Sequence, residues 1–281
     1  MHQEPYTQSK SAQPSLLQTY ESLHFIVRGK NYEKLKNIAK ISEDLYEKIM
    51  MDTNLFSFRP KEHYLITVYE NPEEYYLNTG YPVWSGGGTV TLPLTQIQPL
   101  EKEIKSRTAI FTFEAMATSW LLAHEICHLI FNEFMEFDTQ GESNKTRWLN
   151  EGLAVFEELE VYLNFEREAF LQMTLPLIKQ NDLSLRTLLE FEPFQAKVIS
   201  LGSFFYNGRT SSYTNIDLWY WGARSLVDFL IKTGGRYNFF LLLRALKQKK
   251  EFGAALNEAY PARWRDLPEL ESEWKRSLDI P

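Results

Sequence analysis

The sequence predicts an α+β fold with a mixed α/β N-terminal lobe and a mainly helical C-terminal lobe. Runs of strand-forming residues occur before residue 110, apolar residues recur at helical spacing after it, and 44% of the 281 residues are hydrophobic. A chain of this length and composition can bury one large core. We therefore expect a flexible arm over residues 1–15 and a single domain over 16–281, with lobes of about 16–110 and 111–281.

The N-terminal lobe begins with two predicted strands that flank a helix. The runs LHFIVRG (23–29) and HYLITVYEN (63–71) are rich in β-branched and aromatic residues, which favours strands. The segment between them, 31–52, has apolar residues at helical spacing. Residues 71–80 predict a short helix that ends at Gly80.

The next segment, VWSGGGTVTLPL (83–94), combines three glycines with alternating apolar residues. The glycines predict a turn, and the alternation predicts an exposed edge strand over residues 88–92 that Pro93 stops. A plain hairpin turn is the alternative interpretation of the glycines.

From about residue 110 the sequence predicts helices almost throughout. We interpret the apolar run from Ala109 to Phe134 as a buried helix, because ionisable side chains interrupt it too often for a membrane span. The chain shows no other apolar run of comparable length. The predicted helices cover residues 115–136, 147–163, 215–233, 236–248 and 265–278, with shorter helical segments to about residue 205.

Charge and cysteine content exclude several classes of protein. The net charge is −7 and the lysines are scattered apart from Lys247, Lys249 and Lys250, so nucleic acid is not an expected partner. The one cysteine, Cys127, excludes an intramolecular disulfide, and we expect it to pack as a small buried hydrophobe. The composition leaves the oligomeric state open.

The N-terminal sequence MHQEPYTQSKSAQPS is polar and has no apolar segment of the kind found in signal peptides. The chain as given therefore predicts a cytoplasmic protein, or an extracytoplasmic one if an export signal has been removed. No transmembrane segment is predicted.

The segment LLAHEICHLI (121–130) indicates a metal site. His124 and His128 are four residues apart, so on a helix their side chains lie on one face, about 5–6 Å apart. Two such histidines can bind one metal ion, and Glu125 can accept a proton from a water that the metal activates. The alternative is a helix with two core histidines, because this short pattern also occurs by chance.

A catalytic zinc ion usually has three protein ligands. A metzincin would have glycine and histidine where this chain has Phe131 and Phe134, so that class is excluded. The run WLNEGLAVFEELE (148–160) predicts an amphipathic helix, and Glu151 near its start can reach the two histidines across an antiparallel helix pair. Glu158 is seven residues further on the same face, where either a hydrogen bond to a zinc histidine or a solvated position is possible.

HEICH followed by WLNEGLA resembles the gluzincin zinc metallopeptidases, and in particular the bacterial peptidase MA-like family. The resemblance implies a thermolysin-like catalytic architecture with an edge strand beside the active-site helix. It also implies one zinc ion bound by His124, His128 and Glu151, with Glu125 as the catalytic base and a peptide or protein as the substrate.

The resemblance extends to YWGARSLVDFL (220–230), which is similar to a helix start in the zinc aminopeptidases. There a tyrosine stabilises the oxyanion, which implies that role for Tyr220. The lysine–glycine pair of that motif is absent here, so Tyr213 and a packing role for Tyr220 remain alternatives.

The aminopeptidases hold the free N terminus of the substrate with a GAMEN-like strand, where this chain has SGGGTVTLPL. Recognition of a free amine is therefore not implied, but an extended peptide could still add to the edge strand. The sequence thus predicts a zinc-dependent peptidase and leaves endopeptidase or exopeptidase action open. The alternative function is a catalytically silent zinc-containing module that binds peptides or proteins.

Overall fold

A mixed β-sheet forms the N-terminal half of the structure and helices form most of the C-terminal half, so the predicted α+β class is confirmed. The structure is a computed structural model that describes residues 17–81, 85–90, 109–136, 144–206, 209–261 and 263–279. The predicted arm over residues 1–15 and the predicted strand end at Leu92 lie outside these residues. In chain order the elements are β1 (Gln18–Glu21), β2 (Phe25–Gly29), α1 (Tyr32–Asp52), β3 (Tyr64–Tyr69), α2 (Pro72–Thr79), β4 (Gly87–Val90), β5 (Ala109–Phe113), α3 (Ser119–Met135), α4 (Arg147–Glu160), α5 (Asn164–Gln180), α6 (Leu185–Glu190), β6 (Ser200–Tyr206), β7 (Arg209–Thr214), α7 (Asn215–Lys247), α8 (Phe252–Ala259) and α9 (Leu267–Ser277).

The sheet of the N-terminal lobe has the strand order β1-β2-β3-β5-β4. Strands β2, β3 and β5 are parallel, and β1 and β4 run antiparallel to their neighbours at the two edges. In β4, Thr89 lies opposite Ile110 of β5. The predicted edge strand is therefore present over Gly87–Val90, and it lies beside the strand that leads into α3.

The helices around this sheet begin at side chains that satisfy their free N–H groups. Asn31 caps α1 by accepting a hydrogen bond from the backbone of Lys34, and Asn71 caps α2 in the same way. Thr118 caps α3 through its hydroxyl oxygen. These caps fix where each helix starts after its strand, and hence which residues of α3 lie beside β4.

The apolar run from Ala109 to Phe134 contains a strand and a helix, so its interpretation as one buried helix is wrong. Residues 109–113 form β5, in which every residue is buried, and the helix begins at Ser119. One face of β5 places Ile110 in the main core, and the other places Phe111 and neighbouring residues under α2. A strand buried on both faces has no polar alternation, and therefore resembles a buried helix in sequence.

The glycines of SGGGTV do not form the predicted turn. Gly86, Gly87 and Gly88 are absent from the glycines with positive φ in the described residues, and two of them lie within β4. A Cβ atom at Gly87 would lie 2.9 Å from Leu121 of α3, and one at Gly88 would lie 2.8 Å from the ring of Tyr81. The turn prediction is wrong because these glycines serve close packing of β4 on both faces.

Helices of the C-terminal lobe pack on the same core as the sheet. One cluster of buried side chains contains Ile66 of β3, Ile126 of α3 and Leu226 of α7. Helix α7 contains a kink at Gly235, whose φ of 77° and ψ of 163° are not helical. This kink separates the two helices predicted over residues 215–233 and 236–248 and confirms that division.

Strands β6 and β7 form an antiparallel hairpin where short helical segments are predicted up to about residue 205. The helical prediction is wrong beyond α6, and Tyr206 pairs with Arg209. The sequence does hold a signal for the hairpin, because the dipeptide NG at positions 207–208 separates runs rich in aromatic and β-branched residues. The hairpin packs through Tyr213, whose ring centroid is 5.7 Å from that of Trp221.

Helices α4 and α7 approach each other closely at Gly152. A Cβ atom at this position would lie 2.6 Å from the backbone oxygen of Ala223 and 3.1 Å from a methyl group of Val227. Backbone cannot move aside as a flexible side chain can, so any side chain at position 152 would push the two helices apart. The glycine of the NEG motif therefore sets the distance between the helix of Glu151 and the helix of Tyr220.

We predict that Gly152→Ala lowers the free energy of unfolding by about 1–3 kcal/mol, because the added methyl group overpacks the helix contact. Alanine has a higher helix propensity than glycine by about 1 kcal/mol. A lower free energy of unfolding would therefore show that the close contact with α7 outweighs helix propensity. Urea denaturation followed by circular dichroism measures this change.

The matched control is Gly253→Ala in α8, where a Cβ atom would meet only Leu267, at 3.9 Å. This variant should be as stable as the original protein or more stable by up to about 1 kcal/mol. Equal stability of the two variants would contradict the close contact at Gly152.

Candidate metal centre

Helix α3 carries both histidines of the predicted site. Most of its side chains are buried in the core, but the side chains of His124 and His128 keep exposed fractions of 20% and 12%. Their ring centroids are 4.7 Å apart and their planes are at 83°. The helix thus presents two imidazoles at the edge of the core, where an ion can reach them.

Helix α4 brings the third residue of the predicted site to these imidazoles. Glu151 lies near the start of α4 and is buried. Its Oε2 atom lies 3.5 Å from Nε2 of His128 and 3.9 Å from Nε2 of His124. The two Nε2 atoms are 3.1 Å apart. The structure therefore brings together the three residues that the sequence predicts as ligands.

Hydrogen bonds on the far side of each ring set the orientation of the two histidines. Nδ1 of His124 is 3.1 Å from Oε2 of Glu158, and Nδ1 of His128 is 2.8 Å from Oδ1 of Asn150. The amide of Asn150 donates in turn to Oδ1 of Asn132 at 3.0 Å. Because these partners accept, each Nδ1 carries a proton, which leaves Nε2 as the nitrogen that each ring can offer to a metal ion on the side of Glu151.

The geometry of the three donor atoms fits a tetrahedral metal ion. Zinc binds imidazole nitrogen and carboxylate oxygen at about 2.0–2.2 Å, so two ligands of a tetrahedral ion are about 3.3 Å apart. The three separations between the donor atoms here, 3.1, 3.5 and 3.9 Å, are close to that value. Two nitrogen lone pairs and a carboxylate repel each other at such distances unless a cation lies between them.

The proximity of the three side chains also shifts the pKa values of His128 and Glu151 when no metal ion is bound. Burial alone would lower the pKa of His128, but the charge of Glu151 and its hydrogen bond raise that pKa to about 9. Burial opposes ionisation of Glu151, yet the charges of His128 and His124 lower its pKa. The raised pKa keeps a proton on His128, and this proton balances the charge of Glu151. A metal ion must displace the proton in order to bind.

Glu125 adjoins the candidate ligand His124 in sequence and is held by the edge strand. Its side chain is buried, and its Oε2 accepts a hydrogen bond of 2.5 Å from the hydroxyl of Thr89 in β4. Thr89 is a site residue that the sequence analysis missed. Its signal was its place directly after the three glycines in the predicted edge strand, but only the fold shows that it contacts Glu125.

Of the two candidate tyrosines, Tyr220 is the one whose hydroxyl interacts electrostatically with Glu151 and Glu125. Burial, followed by the negative charge of Glu151, raises the pKa of Tyr220 well above its usual range, so its hydroxyl remains a proton donor. The charge of Glu125 acts in the same direction. The hydroxyl of Tyr213 instead accepts a hydrogen bond from Asn181 at 3.1 Å, and its ring packs under the hairpin.

Arg147 is a second neighbour of the site that the sequence analysis missed. Its guanidinium donates to Glu192 at 2.5 Å and lies 5.0 Å from the ring centroid of Phe194. Its positive charge contributes to the lowered pKa of Glu151 and offsets part of the rise in the pKa of Tyr220. Arg147 therefore favours the ionised form of Glu151.

Cys127 lies between the two histidines in sequence but outside the site in space. Its side chain is fully buried in the core, and burial raises the pKa of its thiol. The expectation of a small buried hydrophobe is confirmed, since a thiol that stays protonated in the core is a poor metal ligand.

Comparisons of the sequence with models of known protein families and with curated proteins found no match. The gluzincin resemblance therefore rests on the residues of HEICH and WLNEG. In the part of the chain that the structure describes, no helix combines the length and apolar character needed to cross a membrane.

We predict that the purified protein binds about one zinc ion per chain and that Glu151→Gln weakens this binding strongly, because it removes a charged ligand. Glu158→Gln should weaken it by about 10–100-fold, since Glu158 only orients His124. Competition with a chromogenic chelator measures both affinities, and elemental analysis measures the metal content.

His63→Ala is the matched control, because His63 is a half-exposed histidine whose Nε2 lies 3.8 Å from the carboxylate of Glu21. This variant should bind zinc as tightly as the original protein. If Glu151→Gln also bound zinc with unchanged affinity, the three-residue site would be incorrect.

Proposed function

We propose that the protein is a zinc-dependent peptidase of the gluzincin type, in which His124, His128 and Glu151 hold one zinc ion. The observation that carries the proposal is the convergence of these three donor atoms next to a buried glutamate that does not belong to the ligand set. The arrangement of a mixed sheet, an edge strand beside the histidine helix and a helical lobe that supplies Glu151 supports a thermolysin-like catalytic architecture.

The zinc ion would polarise the peptide carbonyl and lower the pKa of a water molecule to about 7. Glu125 adjoins His124 in sequence, so its carboxylate can accept a proton from the attacking water and pass it to the leaving amine. Thr89 positions this carboxylate by donating to Oε2, which leaves Oε1 for the water. A module that only binds zinc has no need for a buried carboxylate here, so Glu125 favours peptidase activity over the silent module.

The substrate would add to β4 as a further strand. Among the described residues β4 pairs with β5 on one side only, so its other edge is available for main-chain hydrogen bonds. Gly87 and Gly88 have no side chains, and their close packing on α3 and Tyr81 keeps the strand next to the metal ligands. Such binding recognises the peptide backbone, so extended peptides or unfolded protein segments are the expected substrates.

Tyr220 would stabilise the oxyanion that forms when water attacks the carbonyl. The raised pKa keeps its hydroxyl protonated, as a donor must be. It belongs to α7, which Gly152 allows to pack closely on the helix of Glu151. One donor of this kind contributes about 3–4 kcal/mol to transition-state stabilisation.

We predict that Glu125→Gln retains zinc but lowers kcat for peptide hydrolysis by about 10²–10⁴-fold, because the amide cannot accept the proton. A peptide library analysed by mass spectrometry, with and without a chelator, identifies a substrate on which the rates are measured. Glu133→Gln is the matched control on the same helix, since Glu133 bonds Tyr64 and the backbone of Lys61. Hydrolysis by Glu125→Gln at the original rate would contradict the proposed role of Glu125 as the general base.

We also predict that Tyr220→Phe lowers kcat/KM by about 10²–10³-fold without changing zinc affinity, because it removes only the oxyanion donor. Tyr213→Phe should change kcat/KM by no more than a few fold, since that hydroxyl bonds Asn181. The reverse pattern would assign the oxyanion role to Tyr213. Equal, small effects of both substitutions would show that neither tyrosine has it.

A further inference from the structure

A second feature of the C-terminal lobe is a buried arginine whose charge is poorly compensated. Arg224 of α7 is only 3% exposed, and its Nε atom has no hydrogen-bond partner among the residues that the structure describes. The single ion pair that it forms in the described part of the chain, with Asp228, is long at 3.6 Å. A guanidinium stays charged in proteins, so burying it with so few acceptors costs stability.

The neighbouring acidic groups are already paired with other cations. The Oδ2 atom of Asp228 that faces Arg224 also accepts from Lys232 at 2.9 Å. The charge of Glu160 acts to raise the pKa of Arg224, but Glu160 itself forms an ion pair with Arg167 at 2.9 Å. Arg224 therefore lacks a carboxylate of its own among these residues.

Arg224 lines a cavity of about 430 Å³ between α5, α7 and the end of α9. This volume is within the range of about 300–1,000 Å³ that small-ligand sites have. Apolar side chains form much of the wall, among them Leu171, Leu175, Phe229 and Leu278. The hydroxyl of Ser225, which also lines the cavity, already donates to Gly222 and accepts from Trp274. The cavity thus combines an apolar wall with one buried cation.

We propose that this cavity binds a small monocarboxylate with an apolar body, whose carboxylate pairs with the guanidinium of Arg224. The flat fork of N–H donors in arginine matches the two oxygens of a carboxylate. The acidic side chains of Glu168, Asp228 and Asp279 also line the cavity and disfavour a dianion such as phosphate. His124, His128 and Glu151 are not among the residues that line this cavity, and the proposal does not depend on the proposed peptidase activity.

The test uses the full chain and hexanoate as the probe, with hexanamide as a neutral ligand of the same shape and inorganic phosphate as a dianion. Saturation-transfer NMR and the shift of the melting temperature report binding, and each titration is repeated with a chelator to remove any contribution of carboxylate binding to zinc. We expect hexanoate to bind with and without chelator, and hexanamide and phosphate to bind at least about tenfold more weakly.

Arg224→Met should weaken hexanoate binding by about tenfold or more, because it removes the charge-assisted hydrogen bonds but keeps the apolar wall. Without ligand it should be at least as stable as the original protein, since a poorly paired buried charge is replaced by an apolar side chain. A clear loss of stability would show that the arginine serves the fold and would count against the proposal.

Leu171→Trp provides a second variant that keeps Arg224 and fills the cavity from its apolar wall. It should also abolish hexanoate binding. The proposal is overturned if hexanoate does not bind the original protein, if hexanamide binds as well as hexanoate, or if neither substitution weakens binding. None of these measurements uses peptide hydrolysis. A negative result would therefore not bear on the proposed peptidase activity, and absence of that activity would not bear on hexanoate binding.

Discussion

The site depends on holding one carboxylate against two imidazole nitrogens in a largely buried place. Oε2 of Glu151 is 3.5 Å from Nε2 of His128, and Nε2 of His124 is 3.1 Å from the same nitrogen. Such a group is costly to bury unless a cation balances it and every other polar atom is satisfied. The protein meets the second condition through Glu158 and Asn150, which accept from the two Nδ1 atoms. The hydrogen bonds behind the rings therefore hold the three side chains in this arrangement.

Helix α4 must keep its position for this convergence to exist, and three contacts of different kinds hold it. Gly152 allows α7 to pack against it, and Trp148 packs edge-on against Phe252 of α8 at 5.1 Å. On the side of α1, the fully buried Glu157 binds Lys48 at 2.9 Å. Burial raises the pKa of Glu157 to about 7, so its proton is held more tightly in the folded chain than in the unfolded one. This contribution to stability is complete below about pH 4.5 and is lost as the pH rises through about 7.

The elements that the sequence predicted well are those whose signal is local. The spacing of His124 and His128 fixes their common face on a helix, and the Asn–Glu–Gly run marked Glu151 by resemblance. Thr89 could not be found in this way, because its contact with Glu125 joins two elements 36 residues apart. The strand at Ala109–Phe113 was missed for a different reason, since burial on both faces removes the alternation that identifies strands. Local patterns thus specify residues and helices, whereas their contacts depend on the packing of the sheet.

Two sets of buried polar side chains differ in how completely their hydrogen bonds are satisfied, and the difference bears on function. The Nδ1 atoms of His124 and His128 each have a hydrogen-bond partner, so these rings are oriented before any ligand arrives. Arg224 has a fixed place but an incomplete set of partners, and the cavity beside it is lined with apolar side chains. A native structure leaves few buried polar atoms without partners, because each one costs stability. Where such an atom belongs to a charged side chain and borders a cavity, the missing partner is most simply supplied from outside the chain.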